Sequence, residues 1–93
     1  MKLETLRAYG VTLRARPPLS ISTEPDECGK YAYMEEPLDV CAIANSPDEL
    51  VQEVQEWIVH DWQTYALSDP ATLSLAAQAL GSILRARFSE VQA

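Results

Sequence analysis

Residues with catalytic potential are few in this 93-residue chain and stand far apart. His60 is the single histidine, so a zinc site built on several histidines is excluded, and a serine or cysteine nucleophile would have one base available. Glu35 and Glu36 are adjacent at a bend before Pro37, where neighbouring side chains usually point apart instead of forming an acid and base pair. The sequence therefore predicts that the protein is not an enzyme.

Cysteine and glycine positions favour no cofactor. Cys28 and Cys41 are too few and too widely spaced for a structural zinc site, and we predict free thiols, with a disulfide or a reactive thiol as the alternative. Gly10, Gly29 and Gly81 are isolated, so there is no glycine-rich phosphate-binding loop. We expect neither a cofactor nor a metal ion.

The N-terminal residues indicate no targeting segment. Glu4 and Arg7 interrupt the stretch in which a signal peptide needs a continuous apolar run, and no later stretch reaches transmembrane length. We therefore expect a cytoplasmic protein without a membrane partner.

The clearest structural element is a helix over about residues 46–67. Ser46, followed by Pro47 and then by Glu49 three residues on, has the pattern of a capping box that opens a helix. Apolar residues then recur at helical spacing, whereas His60 falls on the outward polar face. The predicted core stripe comprises Leu50, Val51, Val54, Trp57, Ile58, Trp62 and Tyr65.

Asp61 breaks this pattern because it falls within about 20° of the centre of the apolar stripe. An unpaired carboxylate there would cost several kcal/mol. Three alternatives are open: an arginine of the first strand meets it, a backbone or tyrosine donor meets it, or the helix end stands clear of the sheet and Asp61 is solvated. A direct role in partner binding is a further hypothesis.

Alternating apolar and polar residues before the helix predict strands. Residues 11–16 have the period of a strand, which Pro17-Pro18 should stop. Residues 19–23 and 30–34 should form a hairpin across a turn-rich segment, and residues 39–44 should form a central strand.

A second helix is predicted over about residues 74–90, with Ser74 or Thr72 as its cap. Gly81 should weaken it by roughly 1 kcal/mol relative to alanine. This helix could pack on the first helix or on a second subunit. The predicted fold is thus a single α+β domain over residues 1–93, in which an antiparallel meander of three to four strands, about residues 11–44, is followed by two helices in a two-layer arrangement.

Charge is distributed unevenly. Residues 19–61 contain eleven acidic residues and one basic residue, Lys30, whereas residues 1–18 contain four basic residues and one acid. A surface rich in carboxylates repels phosphate backbones, so direct DNA binding is doubtful and a basic protein partner is favoured. The alternative is that the acids only keep a small protein in solution.

The order of these parts resembles the HicB-type antitoxin family over roughly residues 19–65. The resemblance is carried by a Gly-Lys-Tyr turn at 29–31, a Glu-Pro-Leu bend at 36–38, a strand ending in small residues, and the sequence Ser-Pro-Asp-Glu-Leu that opens the helix at Ser46. The segment of residues 62–69, followed by a second helix with a serine cap, is also similar to a small HicB-related group of bacterial proteins.

The resemblance implies a three-stranded meander packed on a helix and a role as a non-catalytic binding protein. HicB antitoxins bind and block small basic toxin ribonucleases, and many carry an added DNA-binding segment, for which this chain has no equivalent. The candidate partner-binding residues are Glu24, Asp26, Glu27, Tyr31, Tyr33, Glu35, Glu36 and Asp39. The tyrosines could equally pack against the sheet.

A second function remains open. The chain could be a stand-alone homo-oligomeric module, in which an exposed edge strand or the second helix forms a symmetric dimer.

Overall fold

An antiparallel hairpin occupies the N-terminal region of the computed structural model, which describes residues 1–91. Strand β1 (Lys2–Ala8) and strand β2 (Val11–Ser20) are joined by Tyr9 and Gly10. Both joining residues have positive φ, 51° and 75°, as in the type I′ turns that connect hairpin strands. The first strand of the protein therefore lies in a segment for which sequence periodicity predicted none.

An irregularity in this hairpin explains why β1 was missed. Leu3 pairs with Leu19, but a single residue of β1 then lies opposite four residues of β2 before pairing resumes at Thr5. Such a bulge changes which face the following residues occupy. The core residue Leu6 consequently stands three positions after Leu3, and the period of two that signals a strand is absent.

Pro17 and Pro18 lie within β2 instead of ending it. The two prolines, which have no backbone N–H to donate to a ladder, fall in the irregular part of the pairing with β1. The other edge of β2 pairs at residues 13–15 with a short C-terminal strand, β5 (Phe88–Glu90), so the sheet order is β1-β2-β5. Proline therefore restricts the pairing of β2 without stopping the strand.

A separate two-stranded sheet is formed by β3 (Tyr31–Glu35) and β4 (Val40–Ala44). A turn of 3₁₀ helix, Glu36–Leu38, connects them and ends at Asp39, which has positive φ. The predicted hairpin between residues 19–23 and 30–34 is wrong, because within residues 1–91 β3 pairs with β4 and no ladder joins it to β2. Leu19 pairs instead with β1, the strand that sequence patterning did not reveal.

Helix α1 (Pro47–Asp61) begins where the capping pattern predicts. The Ser46 hydroxyl accepts a hydrogen bond from the Glu49 backbone N–H at 3.2 Å, and Pro47 occupies the first turn. The chain stays helical through a π-helical turn, Trp62–Ala66, so the helical stretch closely matches the predicted 46–67. The helix packs against β4, β1 and β3, and thereby covers both sheets.

The buried face of this helical stretch is rotated relative to the predicted stripe. Leu50, Val54, Ile58 and Trp62 are buried as expected, whereas Val51 and Tyr65 are half-buried at the edge of the core. Trp57 is 40% exposed, so the prediction that it lies in the core is wrong. On the opposite side of the stripe, at about 140° from Val54, Val59 is fully buried.

Helix α2 (Leu75–Arg87) is capped by Ser74, whose hydroxyl accepts from the Ala77 N–H at 3.2 Å. The helix ends three residues earlier than predicted because Phe88 turns into β5 and is buried. It packs closely on the π-helical turn of the same chain, where Gly81 faces Tyr65. Of the two packing partners left open by the sequence, the first helical stretch is the one observed.

The α+β class, with antiparallel strands followed by two helices, is confirmed, although the strands number five and form two sheets. Residues from both sheets and both helices contribute to one buried cluster. The split between the sheets leaves α1 as the element that joins them. The C-terminal half of α1 lies next to the β1–β2 turn at the surface.

Candidate binding cleft

The acidic loop between β2 and β3 contains three of the predicted partner-binding residues. Glu24, Asp26 and Glu27 are all exposed. Asp26 also holds the loop together, because its Oδ1 atom accepts from the backbone N–H groups of Cys28 at 2.8 Å and Lys30 at 2.9 Å. The side chains of Glu24 and Glu27 make no hydrogen bond or ion pair among residues 1–91, so these two remain free for a partner.

Tyr33 and Glu35 belong to an internal network and not to a partner surface. Tyr33 is 8% exposed, and its hydroxyl donates to Glu35 Oε2 at 2.8 Å, while Arg87 forms an ion pair with the other oxygen of Glu35. Burial, followed by the hydrogen bond and charge of Glu35, raises the pKa of Tyr33 well above its usual range. Tyr31, on the same face, is half-buried against the core. The face of β3 that carries the tyrosines is thus its core face, which agrees with the alternative that they pack against the sheet.

Glu36 and Asp39 are exposed at the 3₁₀ turn after β3. The acidic loop lies before β3, so the two groups of acids stand at opposite ends of a five-residue strand, roughly 15 Å apart. Asp39 lies close enough to Asp61 for its charge to raise the pKa of that carboxyl. The structure thus separates the predicted acidic surface into two parts and brings one of them near α1.

A surface cleft of about 510 Å³ lies between the β1–β2 turn and the flank of α1. Its helix residues are spaced by one, three or four positions, so they project from one side of the helix. The backbone N–H of Arg7 donates to the Gln55 side chain at 2.9 Å, which ties the end of β1 to the helix. The lining residues are Tyr9, Glu53, Glu56, Trp57, His60 and Asp61.

Two aromatic rings stand on opposite sides of this cleft. Tyr9 is 62% exposed and Trp57 is 40% exposed. Tyr9 is held in the left-handed region, with φ of 51°, a conformation that costs a bulky residue about 1–2 kcal/mol relative to glycine. The turn therefore presents an aromatic side chain at a position where glycine or asparagine would be the more stable choice.

Asp61 lines the cleft and is the one charged residue that is buried among residues 1–91, with 9% of its surface exposed. Burial raises the pKa of its carboxyl, and interactions with His60 and Trp57 offset only part of that effect. The nearest basic group is His60 Nδ1 at 3.7 Å, which is beyond hydrogen-bonding distance. Of the alternatives open for Asp61, the arginine partner does not occur in the described residues, and the carboxylate instead reaches solvent through the cleft.

The lining contains no serine, cysteine or threonine that could act as a nucleophile beside His60. Cys28 and Cys41 are exposed free thiols on other elements. Over residues 1–91, no group of three metal-ligating side chains is close enough to hold an ion.

Sequence reasoning identified Asp61 in this site and missed the rest. His60 was assigned to the outward polar face of the helix, Trp57 was assigned to its core stripe, and Tyr9 lies in a segment with no predicted structure. The Tyr9-Gly10 pair before an alternating strand was the one local signal, because a tight hairpin turn there would imply a strand on its N-terminal side.

A second surface feature is the outer face of the β3–β4 sheet. Met34 is 73% exposed and Ile43 is 57% exposed, and Cys41, which pairs with Met34, is also exposed. This face is apolar and is covered by no element of residues 1–91.

The described helices include none that has the length and apolar character needed to cross a lipid bilayer.

A scan against protein-family models matched none of them, and searches of curated proteins and of solved structures gave no significant match.

Proposed function

We propose that this chain is a non-catalytic binding protein for a small basic protein, in the manner of the HicB-type antitoxins, whose partners are small basic toxin ribonucleases. The observation that carries the proposal is an excess of acidic side chains that the chain itself does not neutralise. The formal net charge is −7, from fourteen acidic and seven basic residues. Such a charge steers an oppositely charged partner toward the surface and accelerates association.

Ion pairing within the chain leaves this excess almost untouched. Within residues 1–91, the pair of Glu35 and Arg87 is the one contact between an acid and an arginine or lysine. Lys30, the single basic residue of positions 19–61, bonds to the Asn45 side chain instead of to a carboxylate. The acids of the loop and of α1 are therefore available to an external partner.

The HicB resemblance supports the proposal at two elements, although the hairpin expected at its Gly-Lys-Tyr turn is not formed and the strands divide into two sheets. The helix opens at Ser46 with the expected cap, and the bend at Glu36–Leu38 leads into a strand of small residues. The formal net charge of −7 repels a phosphate backbone and therefore favours a protein partner over an operator DNA.

Co-expression with any small basic protein that is encoded beside this chain, followed by co-purification, tests the proposal. We expect a stable complex that weakens as salt is raised, because screening reduces attraction between exposed charges. Glu24→Gln with Glu27→Gln should weaken the complex, whereas Glu4→Gln, an exposed acid in the basic N-terminal segment, should not. Failure to retain any such protein, or retention that is unaffected by salt, would contradict the proposal.

The alternative function, a homo-oligomeric module, is favoured by the apolar outer face of the β3–β4 sheet. Exposed apolar side chains such as Met34 and Ile43 are often covered by a second copy of a chain. Sedimentation velocity over a range of concentrations tests it. A dimer that Met34→Glu converts to a monomer would support this alternative, and a monomer at all concentrations would exclude it.

A further inference from the structure

We propose that the cleft between Tyr9 and Trp57 receives an arginine side chain from the protein partner. This inference rests on the proposed function and assigns it a site: a guanidinium group enters between the two aromatic residues and pairs with the carboxylates beneath them. The cleft is separate from the acidic loop of residues 24–27, so the two surfaces can be tested independently.

The aromatic pair supplies the first reason. A cation is attracted to the face of an aromatic ring, and tryptophan and tyrosine are the most effective rings for this contact. Both rings are substantially exposed although the chain has a core that could bury them. Tyr9 in addition occupies a backbone conformation that disfavours its side chain. The exposed rings and the positive φ of Tyr9 each reduce the stability of the fold. Contact of both rings with a ligand would explain why they are present.

The carboxylates supply the second reason. Glu53, Glu56 and Asp61 all line the cleft, and Asp61 is the most buried of the three. The Asp61 side chain is 12% exposed, and the nearest basic group among residues 1–91, His60 Nδ1, lies 3.7 Å from its carboxylate. A buried carboxylate needs a partner cation or hydrogen-bond donors, and the chain provides only the exposed His60 beside it and the adjacent indole of Trp57. A guanidinium group in the cleft would complete this pairing.

The shape and chemistry of the cleft favour arginine over a metal ion or a lysine. A cleft of about 510 Å³ that is open to solvent is far larger than a metal ion requires. Guanidinium is planar, stacks on aromatic faces, and presents a fork of donors that matches carboxylate geometry. An ammonium group can occupy the same space, but it neither stacks nor binds two oxygens in a plane.

Calorimetric titration with two matched peptides tests the inference. The first peptide alternates arginine and glycine, and the second replaces each arginine by citrulline, which keeps the shape but has no charge. We expect measurable binding of the arginine peptide and at least a tenfold weaker signal with citrulline. Trp57→Leu and Tyr9→Asn should each weaken binding by roughly three- to tenfold, because each removes one ring.

Matched variants separate the cleft from general charge. Tyr9→Asn keeps a residue that accepts positive φ, and Trp57 is exposed enough that leucine should leave the fold intact, which circular dichroism would verify. Asp61→Asn should also weaken binding of the arginine peptide. The control is Glu24→Gln with Glu27→Gln, which removes two exposed acids outside the cleft and should change the affinity by less than twofold.

Two results would overturn this site. Equal binding of the arginine and citrulline peptides would remove the cationic recognition on which it depends. Binding that is lost in the Glu24 and Glu27 double variant but kept in the Tyr9 and Trp57 variants would place the partner on the acidic loop. That second result would leave the proposed function standing, whereas loss of co-purification with the basic protein would refute the function itself.

Discussion

Replacing Gly81 by alanine should destabilise the protein, although alanine is the better helix former. Gly81 lies within α2 at the point where that helix crosses the π-helical turn. A Cβ atom built there would lie 2.8 Å from the Tyr65 carbonyl oxygen and 3.3 Å from its carbonyl carbon. A separation below 3.0 Å from a backbone atom requires the two helices to move apart, because backbone cannot rotate away as a flexible side chain can.

Two opposing effects set the magnitude. Alanine gains about 0.8–1.0 kcal/mol over glycine in a helix interior. Overpacking a closely packed contact costs typically 1–3 kcal/mol, and a clash with backbone belongs in the upper part of that range. We therefore expect a net loss of about 1–2 kcal/mol in the free energy of unfolding, which lowers Tm by roughly 5–15 °C for a domain of this size.

Urea and thermal unfolding followed by circular dichroism would measure this effect. Ala79→Gly is the matched control, since Ala79 is exposed on the same helix and its replacement should cost only the helix propensity, about 1 kcal/mol. Opposite substitutions two residues apart should thus both destabilise the protein. A Gly81→Ala variant as stable as the parent, or more stable, would refute the reasoning that close approach of the backbones governs this position.

Three further predictions concern the cleft and the internal ion pair. Burial raises the pKa of Asp61 in the folded state, so the free energy that this group contributes is fully present below its unfolded pKa and is lost as pH rises through the folded value. Asp61→Asn should therefore raise the free energy of unfolding at pH 7, by about 1.4 kcal/mol per unit of raised pKa, and the gain should vanish near pH 3; equal gains at both pH values in urea unfolding would contradict this. Tyr9→Asn should stabilise the protein by about 1 kcal/mol, because asparagine tolerates positive φ, and a lower midpoint in thermal unfolding would show that the tyrosine ring contributes more than its conformation costs. A double-mutant cycle of Glu35→Gln and Arg87→Met should give a coupling energy of about 1 kcal/mol, since both side chains are largely buried, and a coupling near zero would show that the pair contributes nothing to stability.

Local sequence was sufficient for the helices. The Ser46 and Ser74 hydroxyl groups accept bonds from N–H groups three residues ahead, and the apolar spacing that follows lies within one element. Because these interactions connect residues that are close in the sequence, the helices can be predicted from residue types without knowledge of the fold. The residue types of β3 and β4 also predicted strands, and both strands formed, although β4 has a single neighbouring strand within residues 1–91 and is not the central strand expected for residues 39–44.

Interactions between distant residues decided the rest. The bulge opposite Glu4 removed the period of β1 and hid the strand that takes β2 as its partner. The network of Tyr33 and Glu35 includes Arg87, which lies 52 residues from its ion-pair partner Glu35. Tyr9 and Trp57 are brought to one cleft by a turn and a helix flank that are far apart in the sequence.

The sequence by itself therefore determined where the helices begin, the α+β class, and the acidic excess, because each depends on residue types and short-range spacing. Tertiary structure alone decided which strands pair, which tyrosine is buried, and which aromatic and acidic side chains share a cleft. The physical reason is that pairing and burial depend on contacts between surfaces, and a surface of this chain combines residues that no local pattern connects.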